Sequence, residues 1–309
     1  MSELSVVIPT YNRGRVLLET IDLLQCQTVQ ANEIIIVDQT DYLPEDQIEK
    51  KLLELDSESL IRYIHRKEPS IPKAMNAGLL LAESEFVLFL DDDINIDSDF
   101  LEKHKSALDQ HSLCAHVGQV LQPGESETTL TESYQSGRGL ESDLSFLFSS
   151  SKARAIWNCM AGNLCVNRHL AIAAGGFDEN FIGAAYRFET EFCRRVIRYS
   201  GQPFFFAPAP VLYHLRCETG GTRHQDYFLS SISPNHSVGD YYFAIKEGRP
   251  YEAFSYCLKR LFGSARARFY LRKPWYLPVR FIAECRGFLL ALRLIKQGPK
   301  YCQNKQAGK

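Results

Sequence analysis

Three consecutive aspartates, Asp91, Asp92 and Asp93, follow directly on the apolar run Phe86 to Leu90. Adjacent carboxylates repel one another and core packing has no use for them, so the triplet asks for a positive partner. A strand that stops in carboxylates offers hard oxygen ligands, which suit Mg2+ or Mn2+ better than zinc. On extended backbone Asp91 and Asp93 face one side while Asp92 turns away, a D-x-D geometry. Magnesium held so sparsely fills its open positions with water and substrate phosphates. The bland alternative is a solvated acidic turn capping the next helix. It is weakened here because the triplet ends the most apolar strand in the chain.

Two other stretches carry reactive side chains. In "RFETEFCRR", Glu189 and Glu191 stand at the start of an amphipathic pattern, two residues apart and so on different helix faces. Left to themselves they would complement the helix dipole and pair with Arg194, Arg195 or Arg198. In "YHLRCETGGTR", His214 follows a strand, Gly220-Gly221 lets backbone approach a phosphate, and Arg223 is a bidentate phosphate donor. A histidine in that place is, by itself, more often a hydrogen-bonded core residue.

The elements that must position these groups are legible as two alternating periods. "LSVVIP", "EIIIVD", "LIRYIH" and "EFVLFLD" are short apolar runs, and "GRVLLETIDLLQCQ", "PEDQIEKKLLELD" and "IPKAMNAGLLLAES" between them have helical spacing. This predicts an α/β fold with a mostly parallel central sheet covered on both faces. In such sheets ligands lie beyond the C-terminal strand ends, where "PTYNR", Asp38 and the aspartate triplet all fall. Further on, "DSDFLEKHKSALDQ" reads as a helix, 122 to 143 as a long polar mobile loop, "WNCMAGNLCVN" as a strand, "RHLAIAAGGFDENF" as a short helix ended by Gly175-Gly176, and "PFFFAP" and "VLYHL" as two more strands.

Composition bounds the class. The chain has 309 residues, is 45% hydrophobic and contains no apolar stretch of membrane-spanning length. The N-terminus lacks a secretory pattern, so a cytoplasmic protein is expected, possible contact with the inner face of a membrane aside. The nine cysteines are scattered without a C-x-x-C pair, which reads as reduced core filler. From Lys246 onward the formal charge is +12, and the rest of the chain is −14. Residues 241–309 read as basic amphipathic helices, either an ordinary subdomain or a peripheral membrane contact. The acidic front half argues against nucleic acid.

Taken in order, "VVIPTYNR", "IIIVDQTD", "KAMNAG", "LFLDDD", "GGFDENF", "ETEFCRRV" and "HLRCETGGTR" resemble the family-2 glycosyltransferases of the GT-A fold over roughly residues 4 to 224. The resemblance implies transfer of a sugar from a nucleotide-diphosphate donor, most commonly a UDP-sugar, to a saccharide or lipid-linked acceptor hydroxyl, with inversion and a divalent metal. It implies a glycosyltransferase domain over 1–240, with a nucleotide-binding half over 1–120 and an acceptor and catalytic half over 150–224. Pro9, Thr10, Tyr11 and Arg13 would line the nucleotide pocket, Asp38 would meet the base or ribose, and Lys73 and Asn76 would be nucleotide and ribose contacts. Asp91 and Asp93 would be the D-x-D pair, Asp92 a nucleotide-side neighbour, His214 a metal or diphosphate contact and Arg223 a phosphate contact. Glu189 would be the base and Glu191 its alternative, since Phe188 stands where the first acid of the family's pair does. Trp157, Asn163 and Asp178 are candidates on the acceptor and donor-sugar side, Trp157 as a stacking platform or a core residue. A sugar nucleotidyltransferase would want a Gly-rich basic loop after the first strand, and "PTYNRGR" has one glycine. A non-catalytic carbohydrate-binding protein on this fold would have let the acidic site decay.

Overall fold

The computed structural model describes residues 2–41, 48–56, 60–111, 113–128, 139–217, 219–222 and 228–302. Four parallel strands build one half of the sheet: β1 (Leu4–Thr10), β2 (Glu33–Asp38), β3 (Ile61–His65) and β4 (Phe86–Leu90), paired in the order β3-β2-β1-β4. They are joined by α1 (Gly14–Gln25), α2 (Ile48–Leu55) and α3 (Ile71–Leu81). The sheet continues with β8 (Asn163–Asn167) antiparallel to β4, then β6 (Ala115–Leu121), β9 (Phe204–His214) and β5 (Ile94–Ile96), with β7 (Arg154–Ile156) beside β9.

Strand alternation divides the core in two. Leu4, Val6 and Ile8 point to the face covered by Leu17 and Ile21 of α1 and by Phe100 of α4 (Phe100–His111). Val7, Val87 and Phe89 point to the other face, against Met75 and Leu79 of α3 and Phe192 of α6 (Phe188–Ser200). All five residues of β4 are buried. Each such Val, Leu or Phe contributes about 1.5–3 kcal/mol, and this anchorage sets where the aspartates emerge.

The sequence reading differs from the structure in two strands. Residues 157 to 167 are not one strand: 157–162 form a loop, and only Asn163–Asn167 pairs. "PFFFAP" and "VLYHL" are one strand, β9, whose ladder with β6 jumps from Gly118–Ala207 to Gln119–Val211. Pro208 and Pro210 fall in that jump because they have no N–H to give the ladder. Of the expected loop over 122–143, residues 129–138 lie outside the described residues.

The last third is helical: α5 (Arg168–Ala173) precedes α6, and α7 (Val238–Glu247), α8 (Pro250–Ser264), α9 (Arg268–Arg272) and α10 (Leu277–Gln297) follow β9. The boundary read at residue 241 falls inside α7, whose Tyr241, Tyr242, Phe243 and Ala244 belong to the core behind β1 and β4. Among the described residues no helix is long and apolar enough to cross a membrane.

Candidate active site

A cleft of about 770 Å³ opens where the strands β1 and β4 end. Pro9, Thr10 and Tyr11, the aspartate triplet, Gln39 just past β2, and His214 at the end of β9 share its wall with the loop Asn158–Ala161 and Glu189.

The positive partner demanded by three adjacent carboxylates is supplied first by the chain itself. Arg13 Nη1 lies 2.8 Å from Asp92 Oδ1 and 2.7 Å from Asp93 Oδ1. The backbone bends after Asp91, so strict alternation is lost and one guanidinium reaches both. Asp92 also accepts from the Thr10 hydroxyl at 2.6 Å. Burial pushes the Asp92 carboxyl up to about 6 even though Arg13 and Thr10 pull the other way. Burial would raise Asp93 as well, but contact with His214, the charge of Arg13 and the Cys217 N–H at 3.0 Å hold it below the usual carboxylate range.

His214 joins the outer two carboxylates. Its Nε2 lies 3.1 Å from Asp93 Oδ1 and 3.8 Å from Asp91 Oδ2. Burial works against the imidazolium, yet the contact with Asp93 and the charges of Asp91 and Asp93 outweigh it and raise its pKa. Its Nδ1 faces Gln122 Oε1 at 3.1 Å, and that same oxygen accepts from Arg216 Nε at 2.8 Å. Gln122 therefore presents an acceptor to Nδ1, which must carry a hydrogen, and in the neutral ring the lone pair is on Nε2, aimed at the aspartates.

The loop after β9 closes back over the first strand. Gly221 N–H donates to Tyr11 O at 2.7 Å, and Arg13 Nε donates to Thr219 O at 3.2 Å. Gly220 has φ +77°, and a Cβ there would meet Asn12 O at 2.4 Å, so both the backbone conformation and the closeness require glycine. Arg223 lies outside the described residues.

Glu189 and Glu191 separate as their helical positions dictate. Glu189 faces the cleft, and its Oε1 accepts from Ala161 N–H at 3.0 Å. Glu191 is fully buried, held by Arg195 at 2.8 and 2.9 Å and by Lys246 at 2.9 Å. As the alternative base, Glu191 is therefore corrected: it has no access to the cleft and its oxygens are spent on two cations.

Several residues carried over from the resemblance also lie behind the wall. Asp38 is buried, accepting from Thr40 N–H at 2.9 Å and Tyr63 OH at 3.2 Å. Asn76 binds the backbone of Phe177 through both ends of its amide, at 2.8 and 2.7 Å. Asn163 bridges His104 to Gln119 O and Pro210 O beneath the sheet. Asp178 accepts from Lys246 and Tyr242 OH at 2.6 and 2.7 Å. Lys73 pairs with Glu68 at 2.5 Å away from the lining. Trp157 borders a second recess with Arg198, Glu247 and Tyr251. As direct lining of the aspartate cleft Asp38, Asn76, Asn163, Asp178 and Trp157 are corrected, because their polar groups are committed elsewhere or, for Trp157, because the loop turns it to the other recess; Lys73 is exposed on the surface beside Glu68.

The sequence reading missed the inner wall. Arg187 and Arg260 flank the buried Asp240, at 3.1 and 2.8 Å. Arg187 caps α6 in a left-handed conformation, φ 72°, which nothing in the sequence announces. Asp240 does leave a signal, a lone acid in the aromatic run "VGDYYFA".

The donor chemistry fits a hard divalent ion. Asp93 Oδ1 is buried and touches Arg13 and His214 without an aligned hydrogen bond, and Asp91 is close by. Among the described residues no group of three or more His, Cys, Asp and Glu side chains is gathered tightly enough to hold a metal unaided. The remaining ligands would have to come with the substrate, as in sparse magnesium sites.

The sequence profile of glycosyl transferase family 2 matches residues 5–171. A GalNAc(5)-diNAcBac-PP-undecaprenol beta-1,3-glucosyltransferase of Campylobacter jejuni subsp. jejuni is 32% identical over 145 residues, 46% of this chain and 45% of that protein. The chain spans between 18% and 60% of the curated relatives it matches. In fold it is similar to Staphylococcus aureus TarS 1-349 in complex with UDP-GlcNAc, at TM-score 0.61 and 17% identity over 94% of this chain and 81% of that one. The mannosyltransferase PcManGT of Pyrobaculum calidifontis, in complex with GDP-Man and Mn2+, superposes with TM-score 0.58 and 17% identity over 96% of this chain and 79% of that one. The aspartate-ended β4, the cleft at the strand ends and the profile match agree, and the chain belongs to glycosyl transferase family 2, with the GT-A fold.

Proposed function

We propose that the protein transfers a sugar from a nucleotide-diphosphate donor, a UDP-sugar in our reading, to an acceptor hydroxyl with inversion and with a divalent ion, Mn2+ or Mg2+, at Asp91, Asp93 and His214. The observation that carries the proposal is the gathering of Asp91, Asp93, His214, Arg13 and Glu189 on one cleft wall. A divalent ion there would offset the negative charge that the departing nucleoside diphosphate develops. The chain's own part begins with Arg13, which Asp92 holds in place. The Gly220–Gly221 backbone sits close enough to Arg13 to shape the space for the diphosphate.

Glu189 is the base. Its Ala161 contact orients the carboxylate at the cleft wall, and that carboxylate takes the acceptor's hydroxyl proton as the oxygen attacks the anomeric carbon. Loss of water around Glu189 when the acceptor binds raises its basicity against the stabilising pull of the helix start. The acceptor is a saccharide or lipid-linked saccharide of bacterial surface polysaccharide or glycolipid assembly, met in the cytoplasm at the inner membrane face. The relative named for an undecaprenol-linked substrate supports this reading.

The test is release of nucleoside diphosphate from a panel of nucleotide sugars, with Mn2+ or Mg2+ and with lipid-linked or free saccharide acceptors. One donor should stand out, and its turnover should vanish in Glu189→Gln. Release of pyrophosphate from a nucleoside triphosphate and a sugar phosphate would instead make the protein a nucleotidyltransferase.

A further inference from the structure

Helix α10 is apolar on its outer face as well as on the inner face, where Leu294 joins the core. Its inner face presents Ala283, Gly287 and Ala291 to α7, together with the fully buried Glu284, which accepts from Tyr241 OH at 2.7 Å and pairs with Arg280. Gly287 is required there, since a Cβ would sit 2.1 Å from Ser237 Oγ. The outer face carries Phe281 at 56% exposure and Leu289 at 64%, with Ile282 and Leu292 beside them. On α8 the exposed residues Tyr251, Phe254, Leu258 and Phe262 recur at helical spacing as one stripe. Between these helices Leu271 is 84% exposed and Trp275 is 65% exposed.

Of nineteen exposed large apolar side chains among the described residues, twelve lie between Tyr251 and Leu292. That concentration exceeds the scatter expected of an ordinary soluble surface. The charges among them have one sign. Arg266, Arg268, Arg272, Lys273, Arg286 and Arg293 are exposed, whereas the acids between Pro250 and Cys302 are Glu252, half-buried, and Glu284, buried. Arg286 and Arg293 follow Ile282 and Leu289 by one helical turn each, so they flank the apolar stripe.

From this pairing of apolar stripes with unopposed basic side chains, we infer that the outer faces of α8, α9 and α10 dock on an anionic lipid surface. Side chains such as Phe281, Leu289 and Trp275 enter the headgroup boundary, and the arginines meet lipid phosphates and other anionic headgroups. A second copy of the chain is a poor occupant, because a twofold contact would set two cationic faces against each other without acids to pair them. The inference extends the reading of the cleft without depending on sugar transfer. It does connect to it geometrically: α8 carries Arg260 on the cleft wall and the apolar stripe on its exposed side.

The test is co-sedimentation of the full chain with vesicles of phosphatidylcholine alone and of phosphatidylcholine mixed with phosphatidylglycerol. Binding to the anionic vesicles should be about tenfold or more tighter than to the neutral ones and should weaken as salt rises. Phe281→Ser with Leu289→Ser, and separately Arg286→Gln with Arg293→Gln, should each lose about tenfold or more of that binding at unchanged melting temperature. Failure to bind anionic vesicles at low salt overturns the inference, as does binding by both variants as tight as that of the wild type. So does a wild-type dimer in sedimentation velocity that both variants dissolve, which would give the face to a second copy. None of these outcomes touches nucleoside diphosphate release from soluble substrates, so the docking surface and the transferase reading fail separately.

Discussion

Two clusters set carboxylates against cations, one in the cleft and one behind its wall. In the cleft, Asp91, Asp92 and Asp93 meet Arg13 and His214. Behind the wall, Asp178 and Glu191 meet Lys246 and Arg195. The sealed cluster is closed on itself: Asp178 has no exposed surface and accepts from Lys246, Tyr242 and the Asn180 and Lys300 N–H groups. The cleft cluster has its cations as well, with Asp93 Oδ1 against Arg13 and His214, but it faces open volume and Asp91 is half open to the cavity. Carboxylates beside cations are common to both places. Access to open volume is what distinguishes a site from a brace.

The contrast is sharpest at Glu189 and Glu191, and the largest expected effect lies there. Glu189→Gln should cut transfer by about 10²–10⁴-fold, the contribution of a positioned base, while the melting temperature holds. Glu191→Gln should do the reverse, costing about 3–5 kcal/mol in urea unfolding because Lys246 and Arg195 lose a buried partner, with activity per folded molecule retained. An exchange of these two phenotypes would break the comparison.

A pH series probes the cleft cluster from another side. Asp92 is raised from 3.8 to about 6 by burial. A carboxyl with a raised folded-state pKa contributes stability that is fully present below its unfolded value and lost as pH rises through the folded one. Between about pH 4 and 6 this group should therefore cost the wild type up to roughly 3 kcal/mol, and Asp92→Asn should lack that slope. Parallel unfolding curves for the two proteins across that window would contradict the assignment. The smallest effect is expected from Gly162→Ala, whose added Cβ would come within 2.2 Å of Asp91 Oδ2. Asp91 can swing aside into the cavity, so stability should barely change, while nucleoside diphosphate binding with Mn2+ should weaken about tenfold or more by calorimetry.

Much of this is legible in the amino-acid sequence. The strands β1 to β4 announce themselves as β-branched and apolar runs, and the residues following β1 and β4 do gather at one sheet edge. Parity also separates Glu189 from Glu191. What the sequence conceals is how polar residues are spent. Asn76, Asn163 and Asp178 sit in motifs that resemble a binding site, yet their side chains hold backbone and lysine groups inside the core. Pattern alone does not distinguish a polar group turned inward with partners from one turned toward a ligand. Likewise the loop 157–162 is apolar enough to pass for a strand, yet it turns along the cleft and brings Gly162 close to the Asp91 side chain. The outward apolar stripe of α10 misleads in the opposite way, since helical periodicity identifies an apolar face without saying which side meets the core.

The most direct measurement is calorimetric titration of nucleoside diphosphates into wild-type protein and Asp93→Asn, each with and without Mn2+. The account predicts binding by the wild type that tightens with Mn2+ and a variant that stays folded yet loses the Mn2+ dependence. Equal, metal-independent binding by both proteins would contradict it.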